Sequence, residues 1–102
     1  MSAITPHPFS VGYMEVHIAD DTPGPGLFTE AWRLLSAAGV ARCDLFPYGR
    51  DNEGPWLQCF VIIEGQRLVE DTYDLWKSGI DLQGQAALLA GQLERLAVRL
   101  TP

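Results

Sequence analysis

Residues 56–71 of this 102-residue chain read WLQCFVIIEGQRLVED, and the other predicted elements are arranged around them. Seven of its first eight residues are apolar or aromatic, and most of them are the β-branched and aromatic types that strands favour. Glu64 and Gly65 then interrupt the apolar run at a point where a hairpin can reverse direction. The stretch therefore predicts the central pair of strands of a sheet.

The first of these two strands is apolar on both of its faces. Side chains alternate along a strand, so its residues divide into two sets. The sets are Leu57, Cys59, Val61 and Ile63 on one face, and Trp56, Gln58, Phe60 and Ile62 on the other. A sheet with one face in water does not explain such a strand. We expect loops, a ligand or another protein surface to cover the second face.

Two further strands and a helix precede this pair. Residues 10–18 and 41–48 alternate between apolar and polar types and predict strands. Between them, the loop that begins at Asp20 and ends at Gly26 contains Pro-Gly-Pro-Gly, which interrupts regular structure. Apolar residues at spacings of three and four then predict a helix that opens near Leu27. Gly39 is well placed to end that helix in a left-handed conformation.

The last helix has the clearest periodicity in the chain. Asp81 is its predicted N-cap. Its apolar stripe alternates spacings of four and three, and consists of Leu82, Ala86, Leu89, Leu93, Leu96 and Leu100. Small residues beside the stripe, Gly84, Ala87 and Gly91, favour a close approach of another backbone.

The order strand, helix, three strands and helix predicts an α+β fold. Its simplest form is a two-layer sandwich, in which a four-stranded, mainly antiparallel sheet carries two helices on one face. Residues 1–9 contain Pro6 and Pro8 and predict a flexible, extended lead-in. Residues 10–102 are the size of one domain.

The chain is acidic, with 13 Asp and Glu against seven Lys and Arg and a formal net charge of −6. From Leu27 onward its order of elements resembles that of double-stranded-RNA-binding domains. Those domains place Lys side chains at the start of the last helix to meet phosphates, where this chain has Asp81, Gln83 and Gln85. We therefore expect no nucleic-acid partner, and the charge favours a basic partner instead.

No uninterrupted apolar run approaches the roughly 18 residues of a membrane span, and no secretory signal pattern opens the sequence. We therefore expect a cytoplasmic protein that does not act at a membrane. Two cysteines, Cys43 and Cys59, lie in predicted strands among apolar residues and lack the spacing of a metal site or a disulfide framework. Both are predicted to be reduced and buried, with no metal or other cofactor.

Candidates for catalysis are few. His17 and Glu15 share a strand face, and Asp20 and Asp21 follow in the loop, so an acid/base pair or a metal site could assemble there. The loop from Asp20 to Gly26 could also close a small-molecule pocket around His17. The alternative is that His17 is an ordinary surface residue of the strand. No nucleophile elbow or phosphate-binding glycine loop is present in the sequence. We expect no enzymatic activity.

The remaining feature is an apolar and aromatic surface. If the strand registers agree, one face of the sheet carries Phe46, Tyr48, Trp56, Phe60 and Ile62, with Tyr13 beside them. An open face of this kind is typical of an interface. The sequence therefore favours a non-catalytic protein-binding module, such as an inhibitor, an immunity protein or a small chaperone, that forms a homodimer. The alternatives are a ligand carrier or small enzyme with a pocket near His17, and a structural subunit of a larger assembly.

Overall fold

A computed structural model describes residues 4–6, 14–49 and 54–101 of the chain. The strands are β1 Ile4–Pro6, β2 Glu15–Ala19, β3 Arg42–Tyr48, β4 Trp56–Ile63 and β5 Gln66–Asp71. The helices are α1 Thr29–Ala37, α2 Tyr73–Lys77 and α3 Leu82–Leu100, and a 3-10 turn, Pro25–Phe28, precedes α1. None of these helices is both long and apolar enough to cross a membrane.

The sheet has the strand order β1-β2-β3-β4-β5. The β2–β3 pairing is parallel and the other three are antiparallel. Parallel strands need a long crossover, which α1 supplies between β2 and β3. The predicted α+β class and mainly antiparallel sheet are confirmed. The three-residue strand β1, which lies within the predicted lead-in, adds a fifth strand beside the four expected ones.

The β4–β5 turn and the end of α1 lie where the sequence predicts them. Ile63 pairs with Gln66 across the two-residue turn, in which Glu64 and Gly65 have φ of +51° and +78°. Two consecutive positive φ values are typical of the type I′ turn, whose twist matches that of the strands it joins. Gly39, with φ of +91°, ends α1 as predicted, and Val40 donates its N–H to the Leu35 carbonyl oxygen at 3.0 Å.

The start of the first helix differs from its prediction. The sequence predicts a loop through Gly26 and a helix from Leu27, but a 3-10 turn already begins at Pro25. Proline is tolerated in a first helical turn because the N–H it lacks has no intrahelical partner there. The tighter 3-10 winding also shifts the apolar stripe, so Phe28 is fully buried while Leu27 is 42% exposed.

One hydrophobic core joins the sheet to α1 and α3. It contains Val16, Leu45 and Val61 from the strands. From the helices it contains Phe28, Ala31, Trp32, Leu35, Ala86, Leu89, Ala90, Leu93, Leu96 and Ala97. The predicted leucine stripe of α3 is therefore its buried side. The third helix, α2, contacts the opposite face of the sheet through its aromatic side chains, so the helices do not simply form one layer on one face.

The small residues of α3 do not mark a close approach to another helix. A Cβ atom at Gly84 would lie 2.7 Å from Ile80 Cγ2, just before the helix begins, so Gly84 is needed for the local entry of the chain. A Cβ atom at Gly91 would meet only the Arg95 side chain of the same helix, and Ala87 is exposed.

Candidate aromatic binding face

The strand register brings the five predicted binding residues together. In the β3–β4 ladder Tyr48 lies opposite Trp56, and residues two positions apart on a strand share a face. The resulting surface, which we call the aromatic face, consists of Phe46, Tyr48, Trp56, Phe60 and Ile62. None of these five residues belongs to the hydrophobic core, which lies on the other side of the sheet. Tyr13 lies outside the described residues.

Ring contacts divide the aromatic face into two parts. Phe46 and Phe60 lie diagonally across β3 and β4 with ring centroids 5.4 Å apart. Tyr48 and Trp56 meet edge to face at 5.0 Å. Both distances fall in the range that aromatic pairs prefer. Phe46 and Phe60 are half-buried, whereas Tyr48 is 44% exposed and Trp56 only 8% exposed, so Tyr48 is the more accessible member of its pair.

Helix α2 supplies two aromatic residues that the sequence analysis left out of this surface. The Tyr73 and Trp76 rings lie 4.9 and 5.6 Å from the Trp56 ring. Gly54 makes room for the second of them, because a Cβ atom there would lie 1.7 Å from Trp76 Nε1. In the sequence, the spacing of three between Tyr73 and Trp76 indicates that both side chains lie on one side of a helix. That spacing could have identified them as members of one surface. Their docking onto Trp56 depends on tertiary contact.

Two cations lie against the aromatic rings. The Arg67 guanidinium carbon lies 3.4 Å from the centre of the Phe60 ring, and Lys77 Nζ lies 5.6 Å from that of Tyr73. Both distances allow cation–π attraction. Arg67 therefore covers much of Phe60, and the part of the surface open to solvent is the end formed by Tyr48 and Tyr73, which are 44% and 38% exposed.

A buried polar network fixes the start of β4 and hence Trp56. The Leu57 N–H donates to Thr72 Oγ1 at 2.8 Å and to Gln85 Oε1 at 3.0 Å. Gln85 Nε2 in turn donates to the carbonyl oxygens of Ile80 at 2.8 Å and Pro55 at 3.3 Å. Gln85 is fully buried and Thr72 is 1% exposed. Their partners remove the cost of burying polar groups and tie β4 and β5 to α3.

The part of this sheet face nearest β2 is polar. Asp44, opposite Phe60, accepts a hydrogen bond of 2.9 Å from Arg42 Nε, and this contact raises the pKa of the Arg42 guanidinium. On β2, His17 Nε2 lies 3.7 Å from Glu15 Oε2, which is beyond hydrogen-bond distance. His17 pairs with Asp44 in the β2–β3 ladder and has 18% of its side chain exposed.

The loop after β2 forms an open cleft of about 700 Å³. Its lining comes from the loop residues, including Asp20, Asp21 and Thr22, and from Leu82 and Gln83 at the start of α3. His17 is not among the lining residues, so the structure does not bring it together with this loop as the pocket hypothesis required. Among the described residues, no group of three or more His, Cys, Asp or Glu side chains is placed to hold a metal ion.

Both cysteines are free and fully buried, as predicted. Their sulfur atoms lie 3.1 Å apart, on neighbouring strands within the core. Burial, and then the contact with Cys59, raise the pKa of the Cys43 thiol well above its ordinary value of 9.0. A neutral buried thiol is a poor nucleophile, so the core pair does not form a reactive centre.

Comparison of this chain with protein-family models, with curated proteins and with solved structures finds no match.

Proposed function

We propose that this chain is a non-catalytic, cytoplasmic protein-binding module whose aromatic face contacts the partner. One observation carries the proposal: the aromatic face lies outside the core, and with Tyr73 and Trp76 it places six aromatic rings, in two contacting groups, on one side of the sheet. Aromatic side chains are favoured interface anchors because each buries a large area while few torsions become ordered.

The accessible end of the cluster suggests where contact begins. Within this cluster Tyr48 and Tyr73 are the exposed aromatic residues, and they flank the buried Trp56 ring. Trp56 supports them from beneath and is held by the Thr72–Gln85 network through its neighbour Leu57. A partner that covers Phe60 must also accommodate the Arg67 guanidinium, which already lies on that ring.

The partner we expect is a protein with a basic surface. The net charge of −6 attracts such a surface over long range, and Asp44 lies on the same face of the sheet as the aromatic residues. The acidic residues Asp51 and Glu53, which follow β3 in the sequence, lie outside the described residues. Complementary charge mainly accelerates encounter and excludes wrong partners, so salt should slow association more than it speeds dissociation.

The experiment compares proteins that co-purify with tagged variants from the native source. Tyr48→Ala and Tyr73→Ala remove exposed rings, and Trp56→Ala and Phe60→Ala remove the supporting ones. Val98→Ala is the matched control, because Val98 is 66% exposed and lies on α3. Circular dichroism first establishes that each variant folds. We expect the partner to be lost with the Tyr variants and retained with the control.

Recovery of the same partner by all folded aromatic variants would contradict the proposal. In that case the alternative is a small-molecule carrier or small enzyme that uses the cleft at the loop from Asp20 to Gly26, favoured by the cleft volume of about 700 Å³. Native mass spectrometry separates the two: a retained small molecule, lost in Asp21→Asn, indicates a ligand site. A turnover abolished by His17→Ala would indicate an enzyme.

A further inference from the structure

The outer edge of β5 carries a set of backbone groups that face away from the sheet. In an antiparallel pair, residues alternate between those that bond to the neighbouring strand and those that do not. Thr72, just after β5, donates its N–H to the Leu57 carbonyl oxygen at 3.0 Å. By the same alternation Gln66, Leu68 and Glu70 point their N–H and C=O groups toward β4. Those of Arg67, Val69 and Asp71 therefore point outward.

In the described chain no strand lies beside that outer edge, because β5 is last in the sheet order. Exposed edges are pairing sites for other strands unless charge or irregularity opposes them. Val69 lies in the middle of the edge, and its side chain is 53% exposed. Arg67 and Asp71 lie two positions to either side of it, on the same sheet face and with opposite charge.

We infer that two copies of this chain pair through β5 in an antiparallel two-fold arrangement, with Val69 opposite the partner's Val69. Arg67 then lies opposite the partner's Asp71, and the reverse pair forms by symmetry. All the outward N–H and C=O groups of Arg67, Val69 and Asp71 find partners in this register. The exposed Val69 side chain is covered by its symmetry mate.

The charge pattern selects this register over its neighbours. Parallel pairing in register would place Arg67 beside the partner's Arg67 and Asp71 beside the partner's Asp71, which is repulsive. An antiparallel shift of two residues would place one of the two charged residues opposite Val69. The charges of Arg67 and Asp71 therefore disfavour pairing of this edge with most other strands. They favour one register with a second copy of the chain, in which each charge faces its opposite.

The two-fold arrangement also limits the assembly to two copies of the chain. A two-fold interface uses the same patch on both chains and leaves no free β5 edge. The opposite edge of the sheet is the three-residue strand β1, which ends at Pro6. Proline has no N–H to donate, so β1 is a poor site for further strand addition.

This inference gives the expected homodimer a surface that is separate from the proposed partner site. The dimer depends on the edge of β5, and the proposed partner contact depends on the exposed rings of Tyr48 and Tyr73. In the dimer the two aromatic faces become parts of one continuous sheet surface, which would present two partner sites side by side. Either idea can fail without the other.

Site-directed cross-linking tests the register directly. Residues in a hydrogen-bonded antiparallel pair have Cα atoms about 5.5 Å apart, within the range for a disulfide. Under diamide, which takes up the two hydrogens of the thiols as they couple, Val69→Cys should form a disulfide-linked dimer of twice 11.2 kDa. Val98→Cys, on exposed α3, is the control and should remain monomeric on a denaturing gel. The native cysteines are buried and should not interfere.

Charge exchange tests the pairing by an independent route. Sedimentation should show a dimer for the parent chain, at least tenfold weaker association for Arg67→Asp and for Asp71→Arg, and recovery in the double variant. The inference is overturned by a parent chain that sediments as a monomer at all concentrations. It is also overturned by equal cross-linking at positions 69 and 98, or by a dimer that Tyr48→Ala or Tyr73→Ala dissociates while both charge variants stay dimeric. If a charge variant does not fold, the Val69→Cys result decides.

Discussion

The two faces of the sheet are built from alternate residues of the same strands, yet they differ in burial and in the type of apolar side chain. On β4, Leu57, Cys59 and Val61 are completely buried, whereas Phe60 on the other face is half-buried. Both sets are apolar, so hydrophobicity does not separate them. The difference arises from what covers each face. Helices α1 and α3 contribute long apolar stripes to the core, whereas the helix that contacts the aromatic face in the described part of the chain is the five-residue α2, which lies over one end.

The two faces also differ in the kind of side chain they contain and in the contacts that those side chains make. The core side is mainly aliphatic, and its packed residues touch neighbours on all sides, so deletion leaves a cavity. The aromatic face relies on ring contacts and on Arg67 and Lys77, which remain partly hydrated. We therefore expect the core face to determine stability and the aromatic face to determine recognition.

The largest contrast is expected between two phenylalanines. Phe28 is fully buried and stacked on Trp32 with ring centroids 4.9 Å apart. Phe28→Ala should lower the free energy of unfolding by about 3–5 kcal/mol. Phe60→Ala removes the same atoms from a half-buried site and should cost about 1 kcal/mol, through its contacts with Phe46 and Arg67. Urea denaturation measures the loss of unfolding free energy in each variant. Equal losses for Phe28→Ala and Phe60→Ala would show that the aromatic face belongs to the core.

The next contrast lies within α3, where one helix carries both environments. Leu93 is fully buried in the core, and Leu93→Ala should cost about 2–5 kcal/mol. Leu88 on the same helix is 47% exposed, and its replacement by Ala should change stability by about 0.5 kcal/mol or less. A denaturant midpoint unchanged by Leu93→Ala would mean that α3 is not docked on the sheet.

The smallest effect concerns Cys43 on the core face. Because burial raises the pKa of its thiol above 9.0, the folded chain keeps the proton while the unfolded chain ionises. Below pH 9.0 the thiol is protonated in both states, so it does not make the free energy of unfolding depend on pH. Above pH 9.0, ionisation of the thiol in the unfolded chain lowers the free energy of unfolding by no more than about 1.4 kcal/mol per pH unit. At pH 8 a thiol reagent should label the native chain only as fast as it unfolds.

The control for that measurement is Cys43→Ala, whose stability should fall less steeply with alkaline pH than that of the parent chain. Rapid labelling of Cys43 in the folded protein, at the rate of a free thiol, would contradict its burial. Labelling of Val98→Cys provides the fast reference, because that position is 66% exposed in the parent chain.

Much of the fold was predictable from local patterns. Alternation along residues 56–63 assigned every β4 side chain to its correct face, and the Glu64-Gly65 turn and the Gly39 helix end lie where expected. These features depend on residues close together in the chain. The 3-10 turn at Pro25 and the strand β1 were missed, the first because the tighter helix changes the apolar period and the second because three residues carry too little pattern.

The candidate site was predictable only in part. The aromatic residues of β3 and β4 were identified because strand alternation is regular, and an antiparallel hairpin aligned them. Tyr73 and Trp76 were missed because their position depends on how α2 folds back over Trp56 and on the space at Gly54. The cleft and His17 were linked by nearness in the sequence. The structure separates them because His17 alternates with the core residues Val16 and Ile18 and so lies on the opposite face of the sheet, whereas the start of α3 lines the cleft on the core side.

Local sequence patterns determined the longer strands and helices, their faces and the leucine stripe of α3, because backbone propensity and hydrophobic period act over a few residues. Tertiary structure alone decided how a buried polar group finds its partners. Gln85 lies three residues after Leu82 and four before Leu89, so the helical period places it on the buried side of α3. Its amide is satisfied there because the Leu57 N–H and the carbonyl oxygens of Pro55 and Ile80 converge on it. Such convergence requires segments that are distant in the chain to be packed already, so it is set by the assembled fold.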